Sequence, residues 1–260
     1  MPFSVATFNA NSVRSRLHII ERWLKDSHVD ILCLQETKVS DEDFPKEVFE
    51  GWGYHVVYKG DKGYSGVATA SLLSPDEVWI GFDDGEKPDD GARLLRTRFG
   101  GLHVINTYVP QGKAIDHPDY AYKFRFFKRL RALFERNYTA DDFVLWVGDM
   151  NVAPTEIDVT HPETKKKHVC FHEDIRKLFE EVKSWGFIDL FRKHHPDEVE
   201  FSFWDYRVKD ALEHNIGWRV DHILATPPLA ARSIDCFIDR RPRSWDRPSD
   251  HTFMTALFEL

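Results

Sequence analysis

Short apolar runs, each ending in polar and chemically capable residues, recur from one end of this chain to the other. Phe143-Val144-Leu145-Trp146-Val147 is β-branched and aromatic, follows Asp141-Asp142 and stops at Gly148, so it reads as a buried strand. Phe3-Ser4-Val5-Ala6-Thr7-Phe8 alternates like a half-buried strand and ends at Asn9 and Asn11. Ile31-Leu32-Cys33-Leu34 is continuously apolar and ends at Gln35 and Glu36, while Val104-Ile105-Asn106-Thr107 leads into Tyr108 and is closed by Pro110 and Gly112. The run 218–224 holds Asp221 inside a strand-like stretch, where an unpaired carboxylate would cost on the order of several kcal/mol. His251 is the partner that the sequence offers it.

Helical periodicity appears between these runs. Leu17, Ile20 and Leu24 share one face; so do Phe124, Phe127, Leu130 and Phe134, and so do Ile175, Leu178, Phe179 and Val182. Strand-like segments fall at 3–9, 30–35, 54–58, 66–73, 93–99, 102–108, 143–147 and 220–224. Strands in both halves with helices between them predict an α/β fold of two packed sheets with helices outside. No Gly/Ser/Pro linker or shift in composition divides the 260 residues, which predicts a single domain over 1–260. Three widely spaced cysteines argue against a disulfide framework and for a reducing compartment. Neither a secretory leader nor an apolar stretch near eighteen residues is visible, so no membrane partner is expected and the expected location is cytoplasmic.

Chemistry concentrates at Gly148-Asp149-Met150-Asn151, answered near the end of the chain by Pro248-Ser249-Asp250-His251. A spacing of two at a strand end puts Asp149 and Asn151 on one side of the backbone. A carboxylate and an amide are hard oxygen donors suited to Mg2+ or Mn2+, and the carboxylate can also take a proton from water. Standing alone, Gly-Asp-x-Asn is an ordinary turn with a capping Asn. The accompanying carboxylate, amide and imidazole shift the reading to a metal-assisted phosphoester hydrolase.

Eight segments together resemble the exonuclease III type apurinic/apyrimidinic (AP) endonucleases of the endonuclease/exonuclease/phosphatase superfamily. In order they are Phe8-Asn9-Ala10-Asn11, Leu34-Gln35-Glu36-Thr37-Lys38, Gly63-Tyr64-Ser65-Gly66-Val67-Ala68, Tyr108-Val109-Pro110-Gln111-Gly112, Gly148-Asp149-Met150-Asn151, Phe203-Trp204-Asp205-Tyr206-Arg207, Gly217-Trp218-Arg219-Val220-Asp221 and Ser249-Asp250-His251. Leu-Gln-Glu, Gly-Asp-x-Asn and Ser-Asp-His are shared with phosphatases of the superfamily and support the chemistry alone. The Gly-Tyr-Ser-Gly loop, Tyr-x-Pro-Gln-Gly and the Phe-Trp and Trp-Arg-x-Asp pair point to DNA.

The resemblance implies a four-layer α/β sandwich with its site at one edge. It also implies cleavage on the 5′ side of abasic sites in duplex DNA, leaving 3′-hydroxyl ends, with 3′→5′ exonuclease and 3′-phosphatase activity. Mg2+ or Mn2+ would be held by Glu36 first, with Asn9, Asp250, Asp149, Asn151 and His251 as further candidate ligands. Asp149 would act as general base, Asn151 would hold the water or a phosphate oxygen, and His251 oriented by Asp221 would oppose charge on a non-bridging oxygen. Tyr108 would either orient the phosphate or act as an acid. Phe203, Trp218 and Val220 match the positions of an apolar slot for the baseless sugar, Tyr64 and Arg207 match loops that enter or brace the duplex, and Arg14 is expected near the phosphates. Ser12 stands where many relatives have Gly, and Arg207 where some carry an apolar wedge.

Other readings are a superfamily phosphoesterase acting on a non-DNA phosphoester, and a catalytically silent DNA-binding module. The formal net charge of −8 is unusual for a DNA partner. Lys59, Lys62, Lys113, the run 123–136, Arg207, Arg219 and the cluster 240–247 are the candidates for a basic face, and salt-sensitive, fairly weak non-specific binding by a monomer is expected. His168, Cys170 and His172 lack a second pair at zinc-ligand spacing and read as a Lys-rich surface loop.

Overall fold

The computed structural model describes residues 2–260. Twelve strands form two six-stranded sheets. In chain order they are β1 (Phe3–Asn9), β2 (Ile31–Gln35), β3 (His55–Lys59), β4 (Val67–Ser71), β5 (Glu77–Ile80), β6 (Leu94–Phe99), β7 (Leu102–Tyr108), β8 (Phe143–Asp149), β9 (Ile188–Asp189), β10 (Asp221–Ala225), β11 (Ser233–Asp239) and β12 (Phe253–Phe258). The first sheet runs β11-β12-β1-β2-β4-β3 and the second β5-β6-β7-β8-β10-β9. Helices are α1 (Val13–Ser27), α2 (Lys46–Gly51), α3 (Pro118–Asn137), α4 (Pro162–Lys165), α5 (Glu173–Lys183), α6 (Leu190–His194) and α7 (Pro227–Ala230).

Side-chain alternation along the central strands builds the layers. In β8, Leu145 and Val147 enter the core between the sheets with Val5, Ile31, Val104, Ile223 and Met254. Val144 and Trp146 face the other way, into a cluster with Phe127, Leu130 and Phe134 of α3 and Ile175, Phe179 and Val182 of α5. On the far side, Ala6 and Phe8 of β1 pack against Ile20, Trp23 and Leu24 of α1. Helix, sheet, sheet, helix is therefore the order, as the resemblance implied.

The topology gathers the polar ends of the strands at one edge. Only β1 with β2, and β7 with β8, pair in parallel, so these four strands finish side by side with Asn9 opposite Gln35 and Tyr108 opposite Asp149. The antiparallel β10 begins at the same edge, with Asp221 opposite Asp149. β12 runs antiparallel to β1 and brings in His251 just before its first residue. Beneath the edge, Gln35 Nε2 donates to Asn106 Oδ1 (2.7 Å), and Asn106 Nδ2 donates to Ala68 O (2.8 Å), which ties the sheets together. Gly148 permits the close approach of β7 and β8. Its φ is +133°, and a Cβ there would lie 2.0 Å from the Thr107 carbonyl oxygen.

Candidate active site

Each side chain at this edge is held by a neighbour from another element. Asn9 Nδ2 donates to Glu36 Oε1 (2.8 Å) and to Asp149 Oδ2 (2.9 Å), joining the ends of β1, β2 and β8. Its Oδ1 accepts from the Asn11 backbone N–H (3.0 Å). Asn9 thus presents N–H groups to the two carboxylates and braces them. Lys38 Nζ lies 2.7 Å from Glu36 Oε2 and also donates to Asn11 Oδ1, while Asn11 Nδ2 donates to Asp250 Oδ1 (2.9 Å). Asn11 and Lys38 belong to the constellation although neither stood among the expected site residues.

His251 Nδ1 is 2.7 Å from Asp221 Oδ2, and both residues are buried. That bond turns Nε2 toward Asp149, 3.9 Å from its Oδ2. Burial alone would lower the imidazole pKa, but the hydrogen-bonded Asp221 carboxylate, with Asp149 and Asp250, outweighs it and holds His251 up at about 10. Burial pushes Asp149 up to about 7 against the opposing charge of His251. Burial also acts to raise Glu36, yet Lys38 and the hydrogen bond from Asn9 leave it below the usual carboxylate range. Tyr108 is driven well above the ordinary phenol value by burial and by the charges of Glu36 and Asp149.

Asn151 follows Asp149 in a tight turn rather than in extended chain. Its N–H donates to Asp149 Oδ1 (2.9 Å), its Nδ2 donates to Val109 O (3.0 Å) and its φ is +51°. Asn11, Glu36 and Lys38 also have positive φ. Four such residues around one cluster store strain of the order of 1–3 kcal/mol each, a pattern that concentrates at functional sites.

Glu36, Asp149 and His251 each offer a donor atom within 4.8 Å of the others. Two hard carboxylates facing a cleft fit a divalent cation such as Mg2+, with the Lys38 ammonium already marking a cation-favouring position beside Glu36. Asp250 lines the same cleft outside this tight group.

The cleft above the cluster measures about 650 Å³. Tyr108, Asn151, Phe203, Arg207, Trp218 and Val220 line it together with Glu36, Asp149, Asp250 and His251. Trp218 pairs its backbone with Phe203, and Phe203 with His251, which seats the apolar wall directly on the polar cluster. Arg207 is folded against Asp205 (2.6 Å) at the mouth. Arg14 lies elsewhere, 3.8 Å from Asp43, next to Ser12, whose φ of +93° is the conformation glycine favours. Tyr64 is 82% exposed and borders a neighbouring hollow of about 800 Å³ with Arg93, Tyr122 and Arg125. Arg93 links the two hollows, its guanidinium 4.6 Å over the Tyr108 ring.

Several expectations about charged and polar residues change. Arg219 is not on a basic face but fully buried, bonded to Asp158 (2.7 Å) and Asp189 (2.8 Å). Lys123, Arg129 and Arg243 are buried as well. The 168–172 segment is only partly a surface loop. Val169, Cys170 and Phe171 are buried, His168 packs on Trp218 with ring centroids 4.5 Å apart, and His172 caps α5. Cys170 Sγ reaches Asn151 Oδ1 at 3.8 Å in the cleft floor. Among the described residues this segment forms no metal-ligand group.

The sequence model of the endonuclease/exonuclease/phosphatase family matches residues 6–251. The chain belongs to this family. It is 35% identical to exodeoxyribonuclease III of Haemophilus influenzae over 97% of this chain and 98% of that protein. The structure superposes with a TM-score of 0.97 on an AP endonuclease from Archaeoglobus fulgidus, 50% identical, over 99% of this chain and 100% of that one. A Neisseria 3′ phosphatase bound to a product DNA hairpin gives 0.91 at 32% identity, with 99% and 100% covered. The family is metal-dependent.

Proposed function

We propose that this chain is a metal-dependent DNA repair nuclease that hydrolyses the phosphodiester 5′ to an abasic site in duplex DNA, leaving a 3′-hydroxyl, and trims 3′ ends at the same site. The observation that carries the reading is the junction of a carboxylate–imidazole cluster with an apolar wall. Asp149 and His251 stand at the floor, and Phe203, Trp218 and Val220 line the same cleft. An apolar slot beside a hydrolytic cluster suits a sugar that lacks its base. The activities named for the exodeoxyribonuclease III, AP endonuclease and 3′ phosphatase relatives support the same substrate class.

In this reading Glu36 and Asp149, with Asp250 nearby, would hold Mg2+ or Mn2+, which would supply charge neutralisation for the phosphate. The protein's own groups do the rest. Asp221 fixes the imidazole so that Nδ1 donates to it and Nε2–H faces the cleft, ready to donate to a non-bridging phosphate oxygen as its charge grows. Asp149 accepts a proton from the attacking water. Asn9 keeps Glu36 and Asp149 apart and oriented, and Asn151 offers Oδ1 as an acceptor to the attacking water. Tyr108, held protonated by its surroundings, orients the phosphate through its O–H. The whole chain acts as one domain and as a monomer in the cytoplasm.

The test is cleavage of a duplex carrying one tetrahydrofuran abasic analogue, in Mg2+, Mn2+ or EDTA, beside an undamaged duplex with a recessed 3′ end. A metal-dependent cut on the 5′ side of the lesion is expected. No cut on either duplex would overturn DNA as the substrate.

A further inference from the structure

Lys123 projects from α3 into the protein and has no exposed surface. Its ammonium donates to three backbone carbonyls: Asn151 O at 2.7 Å, Val169 O at 2.9 Å and Gln111 O at 3.2 Å. These belong to three separate segments that line the cleft: the loop after β7, the turn after β8 and the stretch leading to α5. Three donors meet three acceptors, and among the described residues no carboxylate lies within ion-pair distance of the ammonium. A buried, unneutralised ammonium is costly, and packing alone could be served by an apolar side chain. The stem runs beneath Gly112, where an added Cβ would meet Lys123 Cδ at 3.4 Å.

Asn151 is the residue that this arrangement constrains most. Its carbonyl is held by Lys123, its N–H by Asp149 Oδ1 and its side-chain amide by Val109 O, so its left-handed backbone is fixed from three directions. We infer that Lys123 is a positioning residue for the hydrolytic step, acting through Asn151; this rests on the nuclease reading above. Without the ammonium the Asn151 peptide relaxes toward an ordinary backbone conformation. That relaxation shifts the Asn151 side-chain amide in the cleft.

The experiment is a cycle of wild type, Lys123→Met, Asn151→Ala and the double variant. Cleavage is measured on the tetrahydrofuran duplex, and DNA affinity by anisotropy in EDTA. Lys128→Met, on the exposed face of α3, is the control. Lys123→Met is expected to lose about 100-fold in kcat. Its DNA affinity should stay within about twofold of wild type, and the double variant should be no slower than Asn151→Ala. A kcat within about threefold of wild type, or losses that multiply in the double variant, would overturn the inference. If circular dichroism shows Lys123→Met unfolded, Lys123→Leu replaces it, since it too lacks a donor for the three carbonyls. A wild-type rate in that variant would be equally fatal. An inactive wild type with Lys128→Met also inactive would instead remove the nuclease reading, and this inference with it.

Discussion

At the scale of single residues, the cluster depends on a few groups whose ordinary properties are altered by their neighbours. Asp149 touches Asn9, Asn151 and the His251 side of the cleft, yet none of these contacts requires its charge in order to fold. Asp149→Asn is therefore expected to fold normally and keep DNA affinity in EDTA while losing at least about 100-fold in turnover. Single-turnover cleavage beside an anisotropy titration checks this, and near-normal turnover would remove Asp149 as the base. Trp218 sits at a different point of the same cleft, bonded to Phe203 through the backbone and packed against the tilted ring of His168. Trp218→Ala should depress abasic cleavage more than removal of nucleotides from a recessed 3′ end. Equal losses would make the wall a packing feature. Asp149, Glu36 and Asp221 were legible in the sequence because each ends or interrupts an apolar run, and His251 because Asp221 needs a partner. Lys123 was not, because the basic run around it reads as a solvated face. The signal was present nonetheless: Lys123 lies four, seven and eleven residues before Phe127, Leu130 and Phe134, on the stripe that faces the core.

At the scale of elements, β1, β2, β7, β8 and β10, which position the site, were legible, as was β3 at one edge, while the other three edge strands and β12 were not. Parallel neighbours are buried on both faces and read as apolar runs, as β2 and β8 do. β5 is largely exposed, β9 is two residues long, and β11 carries Asp235 and Asp239, so none shows a buried-strand pattern. β12, although buried, is a short mixed run that suits a helix as well as a strand. Arg219 shows what such patterns conceal. It lies just before β10 and ties that strand to Asp158 and to Asp189 of β9. Burial opposes ionisation of both carboxylates, but the guanidinium outweighs it and holds them below the usual range. Arg219→Met leaves them buried beside an apolar side chain, at a cost of about 3–5 kcal/mol at pH 7. The sign of the pH dependence follows. In wild type these depressed groups contribute stability above the unfolded carboxylate pKa near about 4, and it is lost as the pH falls through their folded values. In the variant burial raises Asp189 instead, while Asp158 keeps its bond to Arg192, so protonation of Asp189 on the way down to about pH 4 relieves the folded state. Urea melts should show the deficit shrinking between pH 7 and pH 4, and a deficit that stays constant would mean that the loss is one of packing.

At the scale of the whole molecule, charge is the property that composition represents least well. A net charge of −8 suggests poor affinity for a polyanion, but many charges are internal to the fold and do not face the cleft. Lys123, Arg129, Arg219 and Arg243 are spent on carbonyls and carboxylates inside the protein. The cations left around the two hollows are chiefly Arg93, Lys113, Arg125, Lys165 and Arg207, and of these Lys113 and Arg207 are already paired with Asp119 and Asp205. Exposed pairs of this kind exchange partners at little cost, so both can turn to a phosphate when the duplex docks. That supply sets the number of phosphates neutralised at about three to five, and each released counterion contributes about −0.9 to the slope of log K against log salt. Binding of the Asp149→Asn protein to duplex DNA in EDTA should then weaken with a slope between about −2.7 and about −4.5 from about 50 to about 200 mM KCl, since about 0.9 is lost per contact. Arg207→Ala should reduce the magnitude of that slope by about one. A slope near zero would mean that the duplex is held by groove and sugar contacts, with the basic residues serving the fold. A slope steeper than about −6 would require further contacts beyond the two hollows, and Arg14 on the outer surface of α1 would be the first residue to replace.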